Sequence, residues 1–566
     1  MRVLDWTVML ATLAGFVAYG VWRSRGTHDL AGYWVAGRQM PWPMVALSVM
    51  ATQASAVTFL ATPGQGYVGG LSFVQFYFGL PIAMVVLCMT LVPLYQRLRI
   101  TTAYEFLEKR FDGKTRSLTA ALFLLQRGLA AGITLYAPAL VLSVILGWDL
   151  RLTCVFMGLL SIVYTVMGGS RAVGHTQALQ FSIIMGTMAV AFVWVVRTLP
   201  TGVGLGDALW VAGNAGKLNA VDLHFDPKSR FNLWAGLLGG FFLQLSYFGT
   251  DQSQVGRILT ARSTGESRMA LLFNGLFKVP MQFFILLLGV LVFSYHQFVP
   301  APVFFNPIEV ARARNGAHAA QWRAGEAAHL AAAAAQTEAL RARLAARHAG
   351  DAAAEQAAAA RQSDATAARA AARAQAVEAL KATDPSANTN DTNYVFLSFV
   401  LTALPAGIVG LVLAAIFAAS MNSTSSELNA LASTTINDVV RRIPGAPTGE
   451  AALLHWSRAA TLFWALFAVL FAETAGGMGS LVEAVNILGS LFYGTILGIF
   501  LTGFMLARVG GSAVFLAAIV AEVAVVVCWK QDRVGWLWFN LIGCVLTMGL
   551  AGLFAAMVPR WRNRAT

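Results

Sequence analysis

Two stretches of this chain place oxygen-bearing side chains inside apolar segments. Residues 48–67 carry no charge. Small alanines are interspersed there with hydroxyl and amide side chains, and Pro63 and Gly64 follow within the same stretch. Residues 418–429 are dominated by serine, threonine and asparagine. In hydrocarbon, polar side chains and loosened backbone survive only where protein or a water-filled cavity satisfies them. Oxygen groups held in this way are the ligands that a hard cation prefers.

The two stretches together could form an oxygen cage for sodium. A helix that breaks at mid-depth within residues 48–67 would free backbone carbonyls, which suit this ion. Ala419, Asn422 and Ser423 are three and four positions apart, so on a helix they share one face that could complete the cage. The alternative is that both stretches are faces for close helix packing. So many hydroxyl groups in one span carry a desolvation penalty if they bind nothing. This penalty favours the oxygen cage over the packing face.

Two further segments carry polar groups that packing alone does not require. Residues 244–254 read QLSYFGTDQSQ, with Gly249 at the centre and polar residues to one side, which predicts a second broken helix. Lys278 lies in the next apolar segment. A lysine at that depth is costly, so we expect it to be paired, to face a cavity or to snorkel to the inner surface.

The elements that position these residues are membrane spans. Of the 566 residues, 57% are hydrophobic and only 12% are charged, whereas a soluble domain carries roughly 25% charge. The net charge of +13 is therefore interpreted through membrane topology and not as affinity for nucleic acid. Four cysteines, all in apolar segments, show neither zinc-type spacing nor a disulfide framework. The composition predicts an all-α polytopic membrane protein with no transition-metal site.

We predict about thirteen spans, taking roughly 20 apolar residues for each. They are residues 4–22, 43–66, 70–96, 117–146, 151–168, 172–198, 232–256, 267–296, 406–436, 454–474, 480–507, 511–530 and 535–558. Arginines and lysines favour every second connection, including Arg25, Arg99, Arg171, Arg441, Arg508, Arg560, Arg562 and Arg564. By the positive-inside rule these connections are cytoplasmic, which predicts the N-terminus outside and the C-terminus inside.

One segment, residues 305–390, does not have the composition of a membrane span. It is rich in Ala, Arg, Glu and Gln, which are strong helix formers, so we expect one or two long exposed helices outside the cytoplasm. This insert divides the chain into transmembrane parts at 1–304 and 391–566. It is interpreted as a tolerated loop insertion or, alternatively, as an arm that contacts a partner.

Four stretches resemble the sodium:solute symporter family. They are residues 48–67, residues 136–140 (YAPAL) with 168–180 (GGSRAVGHTQALQ), residues 247–257 (YFGTDQSQVGR) and residues 418–438. The resemblance is closest to the branch of iodide, monocarboxylate, multivitamin and bacterial sialic-acid symporters. It implies the leucine-transporter fold, two inverted five-helix repeats with flanking helices, and alternating access driven by sodium.

The resemblance also assigns roles to residues. The sodium site would use the carbonyls of Ala51, Ala54 and Ala419 and the side chains of Asn422 and Ser423, although the family usually has serine where Asn422 stands. The substrate pocket would be lined by Gln53, Ser55, Thr58, Gln75, Tyr77, Gln244, Tyr247, Lys278 and Asn486.

Charged and amide residues near these positions need separate interpretation. Many relatives have Thr-Asp where this chain has Thr176-Gln177, and a neutral amide supplies no counter-charge, so we predict a single coupled sodium. Arg127 lies about one turn from where sialic-acid relatives keep a carboxylate-binding arginine, and is interpreted as snorkelling. We expect Asp251, Glu427 and Asp438 to lie near the cytoplasmic ends as partners of arginines.

These observations predict a sodium-coupled symporter that imports a small organic solute, a carboxylate or other organic anion. The partners would be Na⁺, the solute and the bilayer, with no nucleic acid and no cofactor. The alternatives are a sodium/sugar or sodium/amino-acid symporter, an uncoupled facilitator, or a ligand sensor, which would normally carry a signalling domain. No residue pattern supports an enzyme. The Arg-, Ala- and Gly-rich composition suggests a bacterial inner membrane.

Overall fold

The computed structural model describes residues 1–24, 38–445, 449–558 and 561. Arg25, Arg560, Arg562 and Arg564, which enter the prediction of orientation, lie outside these residues. The side chains of 163–164 and 166–175, including Arg171 and most of the GGSRAVGH motif, also lie outside them.

The described chain is built from helices. They are α1 (Val3–Ser24), α2 (Trp42–Gln53), α3 (Ala56–Gly69), α4 (Leu80–Met89), α5 (Leu91–Leu98), α6 (Glu105–Arg110), α7 (Gly113–Leu146), α8 (Leu150–Arg197), α9 (Leu205–Asn214), α10 (Gly240–Gly249), α11 (Gln252–Ile258), α12 (Thr264–Phe298), α13 (Pro307–Asn315), α14 (Ala319–Ala349), α15 (Ala352–Thr383), α16 (Thr392–Ala403), α17 (Ile408–Thr434), α18 (Glu450–Ala475), α19 (Leu481–Met505), α20 (Gly511–Gln531) and α21 (Trp538–Met557). A 3-10 helix (Gly70–Tyr77) follows α3, and π-helical turns precede α10 and follow α17.

Both predicted helix breaks are present. The first separates α2 from α3 at Ala54 and Ser55, whose backbones leave the helical region. The second separates α10 from α11 at Thr250 and Asp251. Each break leaves helix-terminal N–H and C=O groups without intrahelical partners inside the protein.

Nine helical segments of the described chain are long and apolar enough to cross a membrane, and four shorter apolar helices accompany them. The described segments therefore confirm a polytopic helical protein, while thirteen spans and their orientation stay predictions. One local difference concerns α8, a continuous helix of 48 residues where the sequence predicts two spans, 151–168 and 172–198. No proline interrupts this stretch, so the Gly168-Gly169 pair alone does not end the helix.

Helix α3 is held by close backbone packing. A Cβ added at Gly289 of α12 would lie 1.9 Å from the Pro63 carbonyl oxygen, and one at Gly64 would lie 2.0 Å from the Thr392 carbonyl oxygen. Glycine at these contacts lets α12 and α16 approach α3, as small residues do between membrane helices. The packing explanation considered for residues 48–67 thus applies to their second half. One hydrophobic core joins residues from both sides of the insert.

The insert forms a hairpin of α14 and α15 and does not stand free of the body. Arg343 and Arg347 lie over the Trp210 ring of α9, at 4.7 and 4.5 Å. Thr337 donates a 2.9 Å hydrogen bond to the carbonyl of Gln297 at the end of α12. The prediction of one or two long helices is met by two, α14 and α15. The prediction that they are exposed is corrected, because one face is docked on the transmembrane part.

Candidate functional site

The first break presents free carbonyl oxygens. The amide of Ala54 bonds back to the Met50 carbonyl, and no hydrogen bond from the described part of the chain ends on the carbonyl oxygens of Ala51 or Ala54. Both residues are about 1% exposed. Buried carbonyls at a helix C-terminus carry the negative end of the helix dipole, so they attract a cation.

Helix α17 packs against α2 and presents the predicted face. Ala419, Asn422 and Ser423 are all buried. The Asn422 amide has no partner for either its oxygen or its nitrogen among the described residues. Ser423 donates to the Ala419 carbonyl at 3.0 Å, which leaves its oxygen lone pairs free. Burying an amide that makes no hydrogen bond costs free energy. A cation coordinated by the amide oxygen would offset part of that cost.

Gln177 of α8 joins the two helices beside this face. Its amide oxygen accepts from Ser48 at 2.6 Å, and its amide nitrogen donates to Ser426 at 2.8 Å and to the Asn422 carbonyl at 3.3 Å. The Thr52 and Ser426 hydroxyls are 3.2 Å apart. Position 177 therefore holds a neutral amide with partners at both ends.

A cavity of about 90 Å³ opens beside the first break. It is lined by eight of the nine residues predicted for the substrate pocket: Gln53, Ser55, Thr58, Tyr77, Gln244, Tyr247, Lys278 and Asn486. We call it the central cavity. Gln75 does not line it, because its amide ties the 3-10 helix to the Phe231 carbonyl and the Asp222 amide at 3.2 and 2.8 Å.

Lys278 enters the central cavity from α12. It is 2% exposed and makes no hydrogen bond or ion pair with any described residue; its ammonium lies 5.4 Å from the Tyr77 ring centre. Of the three possibilities left by the sequence, the structure selects the cavity-facing one. A desolvated ammonium with no counter-ion attracts an anionic group.

Arg127 is buried at the cavity and does not snorkel, which corrects the sequence-based interpretation. It pairs with Asp251 at the second break and with Glu427 of α17, the latter at 3.1 Å. It also donates to the Tyr493 hydroxyl at 2.6 Å, and that hydroxyl donates to Asp251 at 2.9 Å. Two carboxylates within reach hold the guanidinium in place.

Glu427 lines the central cavity, and its position near a cytoplasmic end stays a prediction. Its partnership with an arginine is confirmed. Asp438 likewise pairs with Arg116, at 2.5 Å. Sequence reasoning missed the cavity roles of Gln126, Arg127, Thr134, Glu427 and Tyr493. The available signal was the presence of Arg127 and Glu427 in apolar spans, where charges require partners.

Comparisons with known proteins agree with this architecture. The model of the "Sodium:solute symporter family" matches residues 33–321 and 372–521. The unmatched interval falls within the α14–α15 hairpin.

Among curated relatives, the sodium-dependent multivitamin transporter of Oryctolagus cuniculus is 27% identical over 527 residues, covering 91% of this chain and 69% of the relative. Sodium-coupled monocarboxylate transporter 2 of Bos taurus is 35% identical over 42% of this chain and 38% of the relative. The Homo sapiens sodium/iodide cotransporter is 31% identical over 49% of this chain and 43% of the relative. The match thus spans less than half the length of the last two.

A solved structure of a sodium-coupled sialic acid symporter, in a substrate-bound outward-open state, aligns over the whole of both chains with a TM-score of 0.76 at 20% identity. This likeness shows a shared fold. Because the family model covers well over half of the sequence, the chain belongs to the sodium:solute symporter family, which consists of sodium-coupled transporters and not of enzymes.

Proposed function

We propose that this protein is a secondary active symporter that imports a small organic anion, most simply a short carboxylate, together with one sodium ion. The observation that carries the substrate class is the unpaired ammonium of Lys278 in the central cavity. Glu427, the carboxylate among the described residues that line the cavity, pairs with Arg127 and makes no ion pair with Lys278.

Sodium is proposed to bind between α2 and α17. Its ligands would be the carbonyl oxygens of Ala51, Ala54 and Ala419 and the side-chain oxygens of Asn422 and Ser423. The free carbonyls at the first break and the unpartnered Asn422 amide support this set. Five oxygen ligands without a strong field suit a monovalent hard cation. The satisfied amide of Gln177 supports a single ion.

The solute is proposed to lie in the central cavity among Gln53, Ser55, Thr58, Tyr77, Gln244, Tyr247, Lys278 and Asn486. Lys278 would bind the carboxylate of the solute. The hydroxyl and amide side chains would form hydrogen bonds with its remaining polar atoms. A cavity of about 90 Å³ suits a solute of a few non-hydrogen atoms better than a disaccharide. The similarity to monocarboxylate transporters supports the same class.

The transport cycle is proposed to follow from the broken helices. Sodium at the α2 break braces α2 against α17, a contact that the Thr52–Ser426 hydrogen bond and the bridge from Ser48 through Gln177 to Ser426 already favour. Solute entry then completes the cavity, and the helix bundle rocks to release both to the other side. We place this cycle in the leucine-transporter fold, with thirteen spans, the N-terminus outside and a bacterial inner membrane as the location.

One observation favours a second candidate, a zwitterionic amino acid. The second carboxylate oxygen of Glu427 is buried without a partner in the described part of the chain, and Glu427 lines the same cavity as Lys278. An ammonium group could bind at Glu427 while a carboxylate binds at Lys278.

Uptake of a panel of labelled solutes into proteoliposomes tests the substrate class. The panel contains short monocarboxylates, neutral amino acids and hexoses, each with and without an inward sodium gradient. For the carboxylates, Lys278→Gln is expected to lower kcat/KM by roughly 10- to 100-fold, since a hydrogen bond to a charged group is worth about 1.5–3 kcal/mol. Lys228→Gln, in an exposed loop, is the control and should leave uptake unchanged.

The outcomes separate the candidates. Sodium-dependent uptake of amino acids alone, lost in both Lys278→Gln and Glu427→Gln, would replace the anion with the zwitterion. Sodium-dependent uptake of a hexose alone, unaffected by Lys278→Gln, would overturn both.

A further inference from the structure

A second and larger cavity lies under the insert. It has a volume of about 970 Å³ and lies between the α14–α15 hairpin, the loop after α9 and the ends of α3 and α12. We call it the outer cavity. Its volume is in the range of small-molecule sites, roughly 300–1,000 Å³. The sequence-based topology predicts that it opens on the extracytoplasmic side.

The charge of the outer cavity is one-sided. Among the described residues, four basic side chains line it, Lys217, Arg343, Arg369 and Arg373, against one acid, Asp391. Asp391 is engaged by Arg373 at 2.8 Å, and Arg343 has Glu355 at 3.7 Å. A wall with this charge pattern raises the local concentration of anions.

Two of these cations, Arg369 and Lys217, have no counter-ion in the part of the chain that the structure describes. Arg369 donates to the Gln336 amide oxygen at 3.0 Å and approaches the His329 ring nitrogen at 3.5 Å, but pairs with no carboxylate among the described residues. Lys217 donates to the Val68 carbonyl and lies 5.1 Å from the Phe293 ring centre, again with no carboxylate partner in the described ranges. Neutral partners position both charges without cancelling them.

The same cavity has an aromatic floor. Tyr67 lies 5.7 Å from Phe293 and 5.7 Å from Phe305, ring centre to ring centre, in edge-to-face contact. All three rings line the cavity. Cations above an apolar floor match an organic anion with a hydrocarbon part better than they match an inorganic ion.

The outer cavity lies above the central one along the same two helices. Thr58 of α3 lines the central cavity, and Val68 lines the outer cavity ten residues later, about 15 Å along the helix axis. Lys278 and Phe293 of α12 are related in the same way, fifteen residues and about 22 Å apart. Lys217 is fixed at the end of α3, because the Leu71 amide donates to its carbonyl at 2.9 Å.

We propose that the insert roofs an anion-binding vestibule, in which Lys217 and Arg369 hold an organic carboxylate before it enters the central cavity. The proposal rests on the proposed function for the identity of the anion as the transported solute. It assigns the insert a role that neither a tolerated insertion nor a partner-binding arm provides.

Equilibrium dialysis of labelled benzoate against the purified full-length protein tests the vestibule. The buffer contains choline in place of sodium and little salt, so that the proposed sodium-dependent central site stays weak. We expect saturable binding of benzoate that Arg369→Gln weakens about tenfold or more, as loss of a charged hydrogen-bonding partner should, and that high salt also weakens. Arg361→Gln, on an exposed position of the same helix, is the matched control and should bind as the wild type does.

Lys217→Gln is the second variant, because Arg369→Gln removes contacts that hold the insert. It should weaken binding in the same way while the insert keeps its own hydrogen bonds. Equal binding by Arg369→Gln, Lys217→Gln and the wild type would overturn the vestibule, as would the absence of saturable binding by the wild type.

Sodium-driven uptake, measured on the same preparations, separates this proposal from the proposed function. Uptake of the carboxylate without sodium-free binding would refute the vestibule and leave symport standing. Sodium-free binding without sodium-driven uptake would support the anion site and refute anion symport.

Discussion

At the scale of single residues, the proposed sodium site depends on oxygens that have no other partner. The Asn422 amide is fully buried and makes no hydrogen bond within the described residues, and an unsatisfied buried polar group costs roughly 1–3 kcal/mol. A bound ligand that pairs with the amide would offset this free-energy cost. The Ala51 and Ala54 carbonyls accept no hydrogen bond from the described residues, because the break between α2 and α3 interrupts the helix there.

Ser423→Ala tests this set of ligands. The change removes one hydroxyl ligand, so we expect sodium to stabilise the variant against heat far less than the wild type, with an apparent sodium affinity reduced at least about tenfold. Melting temperature is followed in detergent while sodium is titrated against potassium at constant ionic strength. Ser433→Ala is the control, because Ser433 lies on the same helix and donates to its own helix, to the Ala430 carbonyl at 3.0 Å. Equal sodium responses in the two variants would place the ion elsewhere.

Arg127→Met probes the buried charge cluster. The substitution leaves Asp251 and Glu427 without their shared counter-ion, so we expect a loss of about 3–5 kcal/mol in the free energy of unfolding. Arg314→Met, which breaks the exposed ion pair with Glu326, should cost less than about 1 kcal/mol. Thermal and denaturant unfolding in detergent compare the two. Adding Asp251→Asn and Glu427→Gln to Arg127→Met should restore part of the loss, and a failure to do so would show that the charges are not its cause.

At the scale of helices, the sequence predicted the features that have local causes. Polar and small residues around Ala54 and Gly249 predicted the two breaks, and both are present. The spacing of Ala419, Asn422 and Ser423 predicted a shared face. Alanine-rich composition predicted the long helices of the insert.

Long-range partnerships could not be predicted in the same way. Arg127 meets Asp251, Glu427 and Tyr493, which are more than a hundred residues away in the chain, so no local pattern encodes the cluster. Gln75 has a polar side chain two residues before Tyr77, which lines the cavity. Its amide does not face the cavity, because it forms hydrogen bonds with the Phe231 carbonyl and the Asp222 backbone amide. The docking of the insert depends on Trp210 and Gln297, which lie in other segments.

The docked insert should respond to acid through His329. Burial and the neighbouring Arg369 lower the pKa of His329 below its usual value of about 6.5. Since the unfolded state then binds the proton more readily, the stability that this residue contributes is present above the usual pKa and is lost as the pH falls below it. The melting temperature should therefore fall more between pH 7.5 and pH 5.5 in the wild type than in His329→Asn, which does not titrate there. Parallel pH profiles for the two proteins would contradict this account.

At the scale of the whole molecule, two cavities are aligned along α3 and α12, and sodium is proposed to bind at the break that begins α3. The unpaired cations of the outer cavity and Lys278 of the central cavity present the same sign of charge to an entering solute. Several positive charges along one path raise the local concentration of anions.

Charge balance gives a prediction for the complete cycle. One sodium ion with one monoanion moves no net charge, whereas a neutral solute with one sodium gains about 2.3 kcal/mol per 100 mV of potential, or roughly 50-fold in accumulation. We expect carboxylate uptake into proteoliposomes to be the same at zero and at −100 mV. A potential-dependent rise in accumulation would indicate a second coupled cation and contradict the inference drawn from Gln177.

Sodium-coupled symport is tested most directly by the uptake of a labelled short carboxylate into proteoliposomes under an inward sodium gradient. We expect transient accumulation above equilibrium that disappears when the gradient is dissipated and that potassium does not support. Ser423→Ala should lose this accumulation, and Ser433→Ala should retain it. Equal uptake with potassium in place of sodium, or accumulation driven by a proton gradient alone, would contradict sodium-coupled symport by this protein.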